Sequence, residues 1–598
     1  MTKTAHIIRY NHPMVKYREG IFALLILFFL FFSFYLTIFE ISRATPPAGP
    51  AVGGAGGLTD PNREFILEHN YYWPDFNLYL SKIRQGWEGS LTAQEKYTSE
   101  PHKGSLLQEF YVVLGRVGKI VNLDPNMSYQ LGRFILSPLL LITILVLVRH
   151  YFHSLKWQIL AFLILVVSAS FPRFYTDGSG FHIGRFMEWW SNIDALQRIT
   201  FIPHILFGQV VSFYLLYQLT IKPFDFAQGR QFNNLTMKQL LLYIILGNLV
   251  GLVFPPSLIT LNGVIFLLLL TKVFLTIKRP KFSLNFQKIS NILYPYLISH
   301  ILYLIFTLPS LLYLLLITKQ IPWSALVEFH RTHPMMIPLD QYVLGTGPIF
   351  FLGFVGAIVS IIKRDKKYQP LIFWILTTLS FAAFFSVIKD QSPLRFTQTG
   401  LFIPLGILGA YLFEQIWQTI MNLESRIKRY IVFCYMLFVI CYLLGNLFMM
   451  KVSLNWQTNW ISQRLGANIP AVPYPPQTVY PLHDWISGIR WLRDNTNHND
   501  VVLAQITAGN YIPAYSGNFV YFGQANTVDY ERKMKEVDKF FKGGMTLDQV
   551  KLFLKDGRIK YIFYSIQEKE LGNPSFETYY PMFDTAYTNP IVSIFRVK

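Results

Sequence analysis

The chain has 598 residues, of which 52% are hydrophobic, 17% aromatic and 15% charged. A soluble globular chain carries nearer a quarter charged residues, so this composition excludes an ordinary soluble protein. The net charge of +19 does not mark a nucleic-acid binder, because the basic residues recur in short clusters between apolar runs instead of forming one patch.

Eleven apolar runs have the length and composition of membrane spans, at roughly 20–40, 129–148, 157–172, 200–221, 239–255, 257–276, 291–318, 345–362, 369–388, 396–417 and 430–450. The third and fifth are short, and Pro255-Pro256 divides the fifth from the sixth. Lys3, Arg9, Lys16 and Arg18 place the N-terminus in the cytoplasm. Alternate loops then hold 21 Lys and Arg inside, against 7 in the short outside loops, a bias that stays in phase along the chain. The first run is longer than a signal-peptide core, and Ala51 or Ala55 would be a late cleavage site, so it reads as a retained span. Cys434 and Cys441 both fall inside an apolar run, where they read as packing residues and not as a disulfide framework.

Two pieces are expected outside the membrane. The first is the loop 44–128, opened by the flexible tract TPPAGPAVGGAGG. Within it, Asp75 follows Pro74, and Phe76, Tyr79, Leu80, Ile83 and Trp87 make an apolar stripe at helical spacing. Asn77, Ser81, Lys82, Arg84, Gln85 and Glu88 lie on the other side, the pattern of a helix lying on a bilayer surface. Asp75 reads either as the N-cap of that helix or as a general base or metal ligand held at the membrane surface. Farther on, YTSEPHKG carries Glu100, His102 and Lys103, which form either a polar surface turn or a site for an anionic headgroup and its phosphate.

The next outside loop, 173–199, is rich in aromatics and includes Trp189-Trp190, which read as an interface anchor or a platform for a sugar ring. Asp177, His182, Glu188, Asp194 and Arg198 are ionisable there, without a known metal-ligand spacing. His204 lies just inside the fourth span, where an ionisable side chain is either functional or a packed, hydrogen-bonded histidine. The loop after the seventh span offers Glu328, His330, Arg331, His333 and Asp340, again with no metal spacing. Arg395 stands at the outer mouth of the tenth span, placed either to clamp a phosphate bidentately or to snorkel to headgroups.

The second outside piece is the tail, about 451–598, which reads as a small α/β domain. HDWISGIRWLRDN, 528–542 and 546–556 are predicted helices; VVLAQ, NFVYF, YIFYS and VSIFRV are predicted strands. NYIPAYSGNFVYFGQ reads as a small aromatic core or a glycan-stacking surface. No Walker motif, nucleophile elbow, dinucleotide fingerprint or Cys/His zinc spacing stands out.

A cytoplasmic N-terminus, one span, a large outside loop with an acidic residue soon after the span, many further spans and an outside tail together resemble the GT-C superfamily of membrane glycosyltransferases, such as the protein mannosyltransferase and aminoarabinose transferase families. The residues carrying the likeness are PDFNLYLSKIRQGWEGS with YTSEP, PLRFTQTGLFIPLGILGAYL, WLRDN, AGNYIPAYSGNFVYFGQANTVDYERK and IKYIFYSIQEKELG. The resemblance implies a multi-pass helical enzyme of the cytoplasmic membrane, with segment 1–19 inside, a membrane domain over 20–450, and an α/β domain over 451–598 outside. It implies transfer of a sugar, with inversion, from a polyprenyl-phosphate carrier to a hydroxyl of a glycan, lipid or protein acceptor. By the same resemblance Asp75 matches the general base, with Glu100 as the second carboxylate. Arg84, His102, Lys103, Arg198 and Arg395 are the phosphate candidates, and His204 is a further substrate-binding candidate. Residue 74 is Pro and residue 77 is Asn, so the paired acids common in the family are missing and a divalent metal is not supported. The alternative reading is a transporter or lipid flippase, or a non-catalytic scaffold with an outside binding domain.

Overall fold

The computed structural model describes residues 13–43, 64–69, 75–178, 180–221, 236–277, 286–424, 427–465, 481–572 and 575–598. The tract TPPAGPAVGGAGG, Pro74 and the basic residues Lys3, Arg9, Lys222, Arg230, Lys278, Arg279, Lys281 and Arg426 lie outside the described residues.

In chain order the helical part comprises α1 (Pro13–Ser42), α2 (Phe76–Trp87), α3 (Glu109–Ile120), α4 (Pro125–Tyr151), α5 (Leu155–Val167), α6 (Pro203–Leu216), α7 (Met237–Val253) and α8 (Pro255–Ile277). It continues with α9 (Phe286–Ile317), α10 (Ser324–Thr332), α11 (Leu339–Thr346), α12 (Pro348–Ile362), α13 (Gln369–Ile388), α14 (Leu394–Thr397), α15 (Phe402–Met421) and α16 (Lys428–Leu465). Each predicted span falls on one of these: α1, α4 to α9, α12, α13, α15 and α16. Among the described residues, six helices are long and apolar enough to cross a membrane, and α11 with α12, bent by 87° at Gly347, makes a possible seventh. The short third and fifth spans are α5 and α7, of 13 and 17 residues. The molecule is an integral, multi-pass helical membrane protein.

Small residues set the closest helix crossings. A Cβ on Gly356 of α12 would stand 2.0 Å from the Leu408 carbonyl oxygen of α15, so only glycine permits that approach. Large apolar side chains face outward along the spanning helices, for example Phe351, Val355 and Ile358 of α12, as expected where lipid is the solvent. Cys434 and Cys441 belong to this exposed set on α16, which corrects the expectation that they pack inside.

The tail forms a five-stranded sheet covered by helices. Its elements are α17 (His483–Asn495), β3 (Val501–Leu503), α18 (Ile506–Tyr515), β4 (Phe519–Val520), α19 (Tyr530–Phe541), α20 (Leu547–Asp556), β5 (Ile559–Tyr564), α21 (Ile566–Gly572), β6 (Phe583–Thr588) and β7 (Ser593–Val597), after an earlier hairpin of β1 (Pro172–Asp177) and β2 (Gly180–Arg185). The strand order is β4-β3-β5-β7-β6, parallel across β4, β3 and β5 and antiparallel across β5, β7 and β6. All four predicted strands and three predicted helices are present. β6, α18 and α21 escaped the reading, α18 because Pro513 and its aromatics disguise a helix that is buried from Thr507 to Tyr515. Tyr511 of α18 packs edge-on against Trp485, so that aromatic run is core.

Candidate functional site

Helix α2 carries the first-loop aspartate, and its surroundings differ from the expected membrane surface. Every residue from Phe76 to Gly86 is buried, including the polar side. The apolar stripe packs on α3 and α4, with Phe76 edge-on to Tyr129. At the α2–α3 crossing, a Cβ on Gly115 would lie 1.9 Å from the Ile83 carbonyl oxygen. The polar side is covered by the tail: Asn77 Nδ2 donates to Asn510 Oδ1 at 2.7 Å, and Arg84 Nε donates to the Ala514 carbonyl at 2.5 Å. An amphipathic helix can thus be internal when a second domain supplies polar partners for its polar face, a circumstance that hydropathy periodicity does not reveal.

Asp75 sits at the start of α2 but its side chain does not cap the helix. It accepts instead from the Tyr79 hydroxyl, one turn on, at 3.4 Å. The Tyr79 ring stacks on Tyr111 with centroids 4.5 Å apart, and the Tyr111 hydroxyl meets His204 Nδ1 at 2.7 Å. Pro203 opens α6 and so sets His204 in its first turn. From the far side, α14 presents Arg395, whose guanidinium donates to His330 Nε2 at 3.4 Å and whose charge is felt at Asp75, His204 and His330. Burial pushes the Asp75 carboxyl above the usual carboxylate range, opposed first by Arg395 and then by the Tyr79 hydrogen bond. Burial, with Arg395 beside it, pulls His330 down to about 3, so its imidazole is neutral. Because Nε2 accepts from Arg395, the proton resides on Nδ1, a buried donor with no partner among the described residues.

Three of the sequence candidates, Asp75, His204 and Arg395, therefore meet in one place; the other five do not. Glu100 is ion-paired at 2.6 Å with Lys533 of α19, a lysine only 1% exposed. Arg84 holds the Ala514 carbonyl and Glu88. His102 accepts the Glu95 N–H at Nε2, 2.9 Å away, and donates from Nδ1 to the Glu100 carbonyl at 2.8 Å, so both ring nitrogens serve the loop. Lys103 is exposed. Arg198 is buried and donates to the Leu165 and Val166 carbonyls at the end of α5, with its guanidinium over the Phe402 ring. Arg84, His102 and Arg198 thus have partners in the scaffold, although Arg198 Nε is left without one among the described residues. Trp190 is buried and donates to Thr397 Oγ1 at 3.1 Å; only Trp189 is exposed, and the two rings are tilted, not stacked. Tyr111 escaped the sequence reading, while Tyr79 entered it only as part of the apolar stripe and His330 only as one ionisable residue of its loop. Tyr79 was signalled by its i+4 spacing from Asp75; nothing local signals the other two.

Glu95 and Lys82 make a second buried cluster beneath α2, 3.3 Å apart with side chains 2% and 0% exposed, and Asn526 of the tail donates to Glu95 at 3.0 Å. The backbone carbonyl of Lys96 accepts from the Val520 N–H at 2.9 Å, which ties the first loop to β4 at the edge of the tail sheet. The tail therefore clasps the loop that holds Asp75. Among the described residues no group of three or more His, Cys, Asp or Glu side chains has the arrangement to hold a metal ion. Asn77, two residues after Asp75, is turned to Asn510.

Neither a protein-family model nor a curated protein sequence matches the chain. Its structure is similar to that of the arabinofuranosyltransferase AftD from Mycobacteria, with a TM-score of 0.51, 11% identity, 96% of this chain covered and 40% of the AftD chain. The Archaeoglobus fulgidus oligosaccharyltransferase matches with a TM-score of 0.49 at 12% identity, covering 93% of this chain and 73% of its own. ArnT from Cupriavidus metallidurans, solved with undecaprenyl phosphate, gives 0.44 at 10% identity over 95% and 97%. At these identities the likeness concerns architecture, and the AftD match carries it: the chain has the GT-C membrane fold.

Proposed function

We propose that the chain is a membrane glycosyltransferase that moves a sugar from a polyprenyl-phosphate carrier to an acceptor hydroxyl, on the side of the membrane that holds the tail. The observation behind this reading is the meeting of an aspartate with a raised pKa, an arginine and a buried imidazole donor at the junction of α2, α6, α10 and α14. The fold shared with an arabinofuranosyltransferase supports it. The excess of Lys and Arg in alternate loops supports a cytoplasmic N-terminus, with α2, α10, α14 and the tail on the opposite side.

In the proposed reaction the acceptor oxygen attacks C1 of the sugar while its proton passes to Asp75. The C1–O bond to phosphate breaks, and its electron pair leaves on the phosphate oxygen. A single displacement inverts C1. Arg395 and the Nδ1–H of His330 neutralise the leaving phosphate, where a partly dry setting strengthens each contact. Tyr79 positions the carboxylate, and Tyr111 with His204 forms the wall behind it. Asp75 is held off the usual carboxylate range by burial, which makes it a stronger base once ionised. Glu100, Arg84, His102 and Arg198 hold the scaffold. No step is assigned to a metal.

The test is reconstitution of the wild-type protein with a panel of polyprenyl-phosphate sugars and a membrane extract as acceptor source, following released polyprenyl phosphate by mass spectrometry. The expected result is release from one donor class that depends on the extract. A folded protein that releases none from any donor would overturn the reading.

A further inference from the structure

We propose that the β1–β2 hairpin, together with Trp189 and α11, is a ledge seated in the outer leaflet of the bilayer. The hairpin is two-faced. Its register pairs Phe174 with Ile183 and Thr176 with Phe181 on one face, and Tyr175 with His182 and Arg173 with Gly184 on the other. Phe174 and Phe181 stack with centroids 6.0 Å apart and are 62% and 65% exposed, and Trp189 is 54% exposed. The opposite face carries the 2.9 Å hydrogen bond between His182 Nε2 and the Asp177 carboxylate and the Arg173 guanidinium over Tyr175. An exposed aromatic face backed by a charged one is the composition of a segment at a lipid–water boundary.

The position of the hairpin names the partner. α12 is an apolar helix with Phe351, Val355 and Ile358 outward, and α11 lies at 87° to it across Gly347, so α11 runs along the bilayer surface if α12 crosses it. The chain entering β1 is bonded to that bend: Phe171 N–H donates to the Leu344 carbonyl at 3.0 Å, and the Phe171 ring lies 6.3 Å from Phe351. The apolar face thus continues from α12 through Phe171 to Phe174 and Phe181, and Leu339, at the end of α11 away from the bend, is 67% exposed. The base of the hairpin is rigid, since Arg185 pairs with Asp194 at 3.0 Å, both 3% exposed, and Ser453 of α16 donates to Asp194 at 2.5 Å. The same segment is tied to the helix of Arg395, because Trp190 donates to Thr397 Oγ1 and Asn192 to the Thr397 carbonyl at 2.9 Å. A ledge fixed at headgroup depth therefore also fixes the depth of Arg395.

Nitroxide labels provide the test. Single cysteines replace Phe174, Phe181 or Asp177 in the full chain with Cys434→Ser and Cys441→Ser, with Phe351→Cys as the lipid reference and Lys542→Cys as the aqueous one. In phosphatidylcholine/phosphatidylglycerol vesicles, collision rates with oxygen and with a water-soluble nickel complex are compared. Labels at 174 and 181 are expected to favour oxygen as at 351, at a depth of about 5–10 Å below the headgroup boundary, while 177 favours nickel as at 542. Nickel-dominated collisions at both 174 and 181 would overturn the proposal, as would exclusion of both reagents, which would mean a protein partner covers the face. Two labelled positions on one face guard against a single variant that fails to fold. The readout needs no turnover, so its failure is separate from failure of the transferase reading.

Discussion

The Lys82–Glu95 pair makes a quantitative claim about how α2 is held. Both side chains are removed from water, at 0% and 2% exposure. Lys82→Met keeps the aliphatic stem and removes the ammonium, leaving Glu95, among the described residues, with the Asn526 amide and the Tyr97 N–H. An uncompensated buried charge costs about 3–5 kcal/mol. Glu95→Gln is expected to cost less. Burial already lowers the Lys82 pKa, and Glu95 is the group that raises it again, so without Glu95 the lysine can shed its proton and still donate to the Gln94 carbonyl. The double variant Lys82→Met/Glu95→Gln is expected to lie nearer the wild type than Lys82→Met does, with a coupling of about 0.5–3 kcal/mol. The assay is unfolding of the purified protein in detergent, followed by near-ultraviolet circular dichroism across the four-member cycle. Lys82→Met within about 0.5 kcal/mol of wild type, or strictly additive variants, would refute the reasoning.

Three further outcomes are expected. Arg395→Gln should lower kcat/KM by about 10²–10³-fold and move the acidic limb of its pH profile to higher pH. The sign follows from Arg395 favouring the ionised form of Asp75, so that its removal raises that pKa further; an unmoved limb would separate the two groups. His498 has its pKa raised chiefly by its hydrogen bond with Glu88, 3.1 Å away across the tail–loop junction. A raised folded-state pKa contributes stability below the unfolded value, about 6.5 for histidine, and loses it as pH rises through the folded value. The difference in thermal midpoint between wild type and His498→Gln should accordingly shrink from mildly acidic to mildly alkaline pH, and a constant difference would contradict it. Gly115→Ala should cost about 1–3 kcal/mol and reduce turnover by displacing α2, since its Cβ meets the Ile83 backbone and not a side chain that can turn away; unchanged melting and activity would show that the helices part freely.

The helical architecture was legible because lipid-facing helices must be apolar and their loops must carry asymmetric charge, both local properties of sequence. Four of the five tail strands were legible for the same reason, as short β-branched and aromatic runs between turns, and β6 was not. Asp75 and Arg395 stood out because a charge beside an apolar helix needs a reason. What local reading could not supply was the partner. Arg84, His102 and Glu100 have the chemistry of a phosphate or acid–base site, and the fold gives each a partner that local sequence does not show, the Ala514 carbonyl, the loop backbone and Lys533. The amphipathic stripe of α2 was real, but its polar face meets Asn510 and not water. His330 becomes relevant only when the fold sets it against Arg395.

The most direct test of the central claim is transfer by wild type, Asp75→Asn and Glu100→Gln, each reconstituted at equal folded amount. Asp75→Asn should lose about 10²–10⁴-fold in released polyprenyl phosphate while melting no lower than wild type. A carboxyl whose pKa is raised in the fold is destabilising when ionised, and the amide removes that burden. Glu100→Gln should lose thermal stability and retain turnover in the fraction that stays folded. Normal release by Asp75→Asn, or loss of turnover in folded Glu100→Gln alone, would contradict the account.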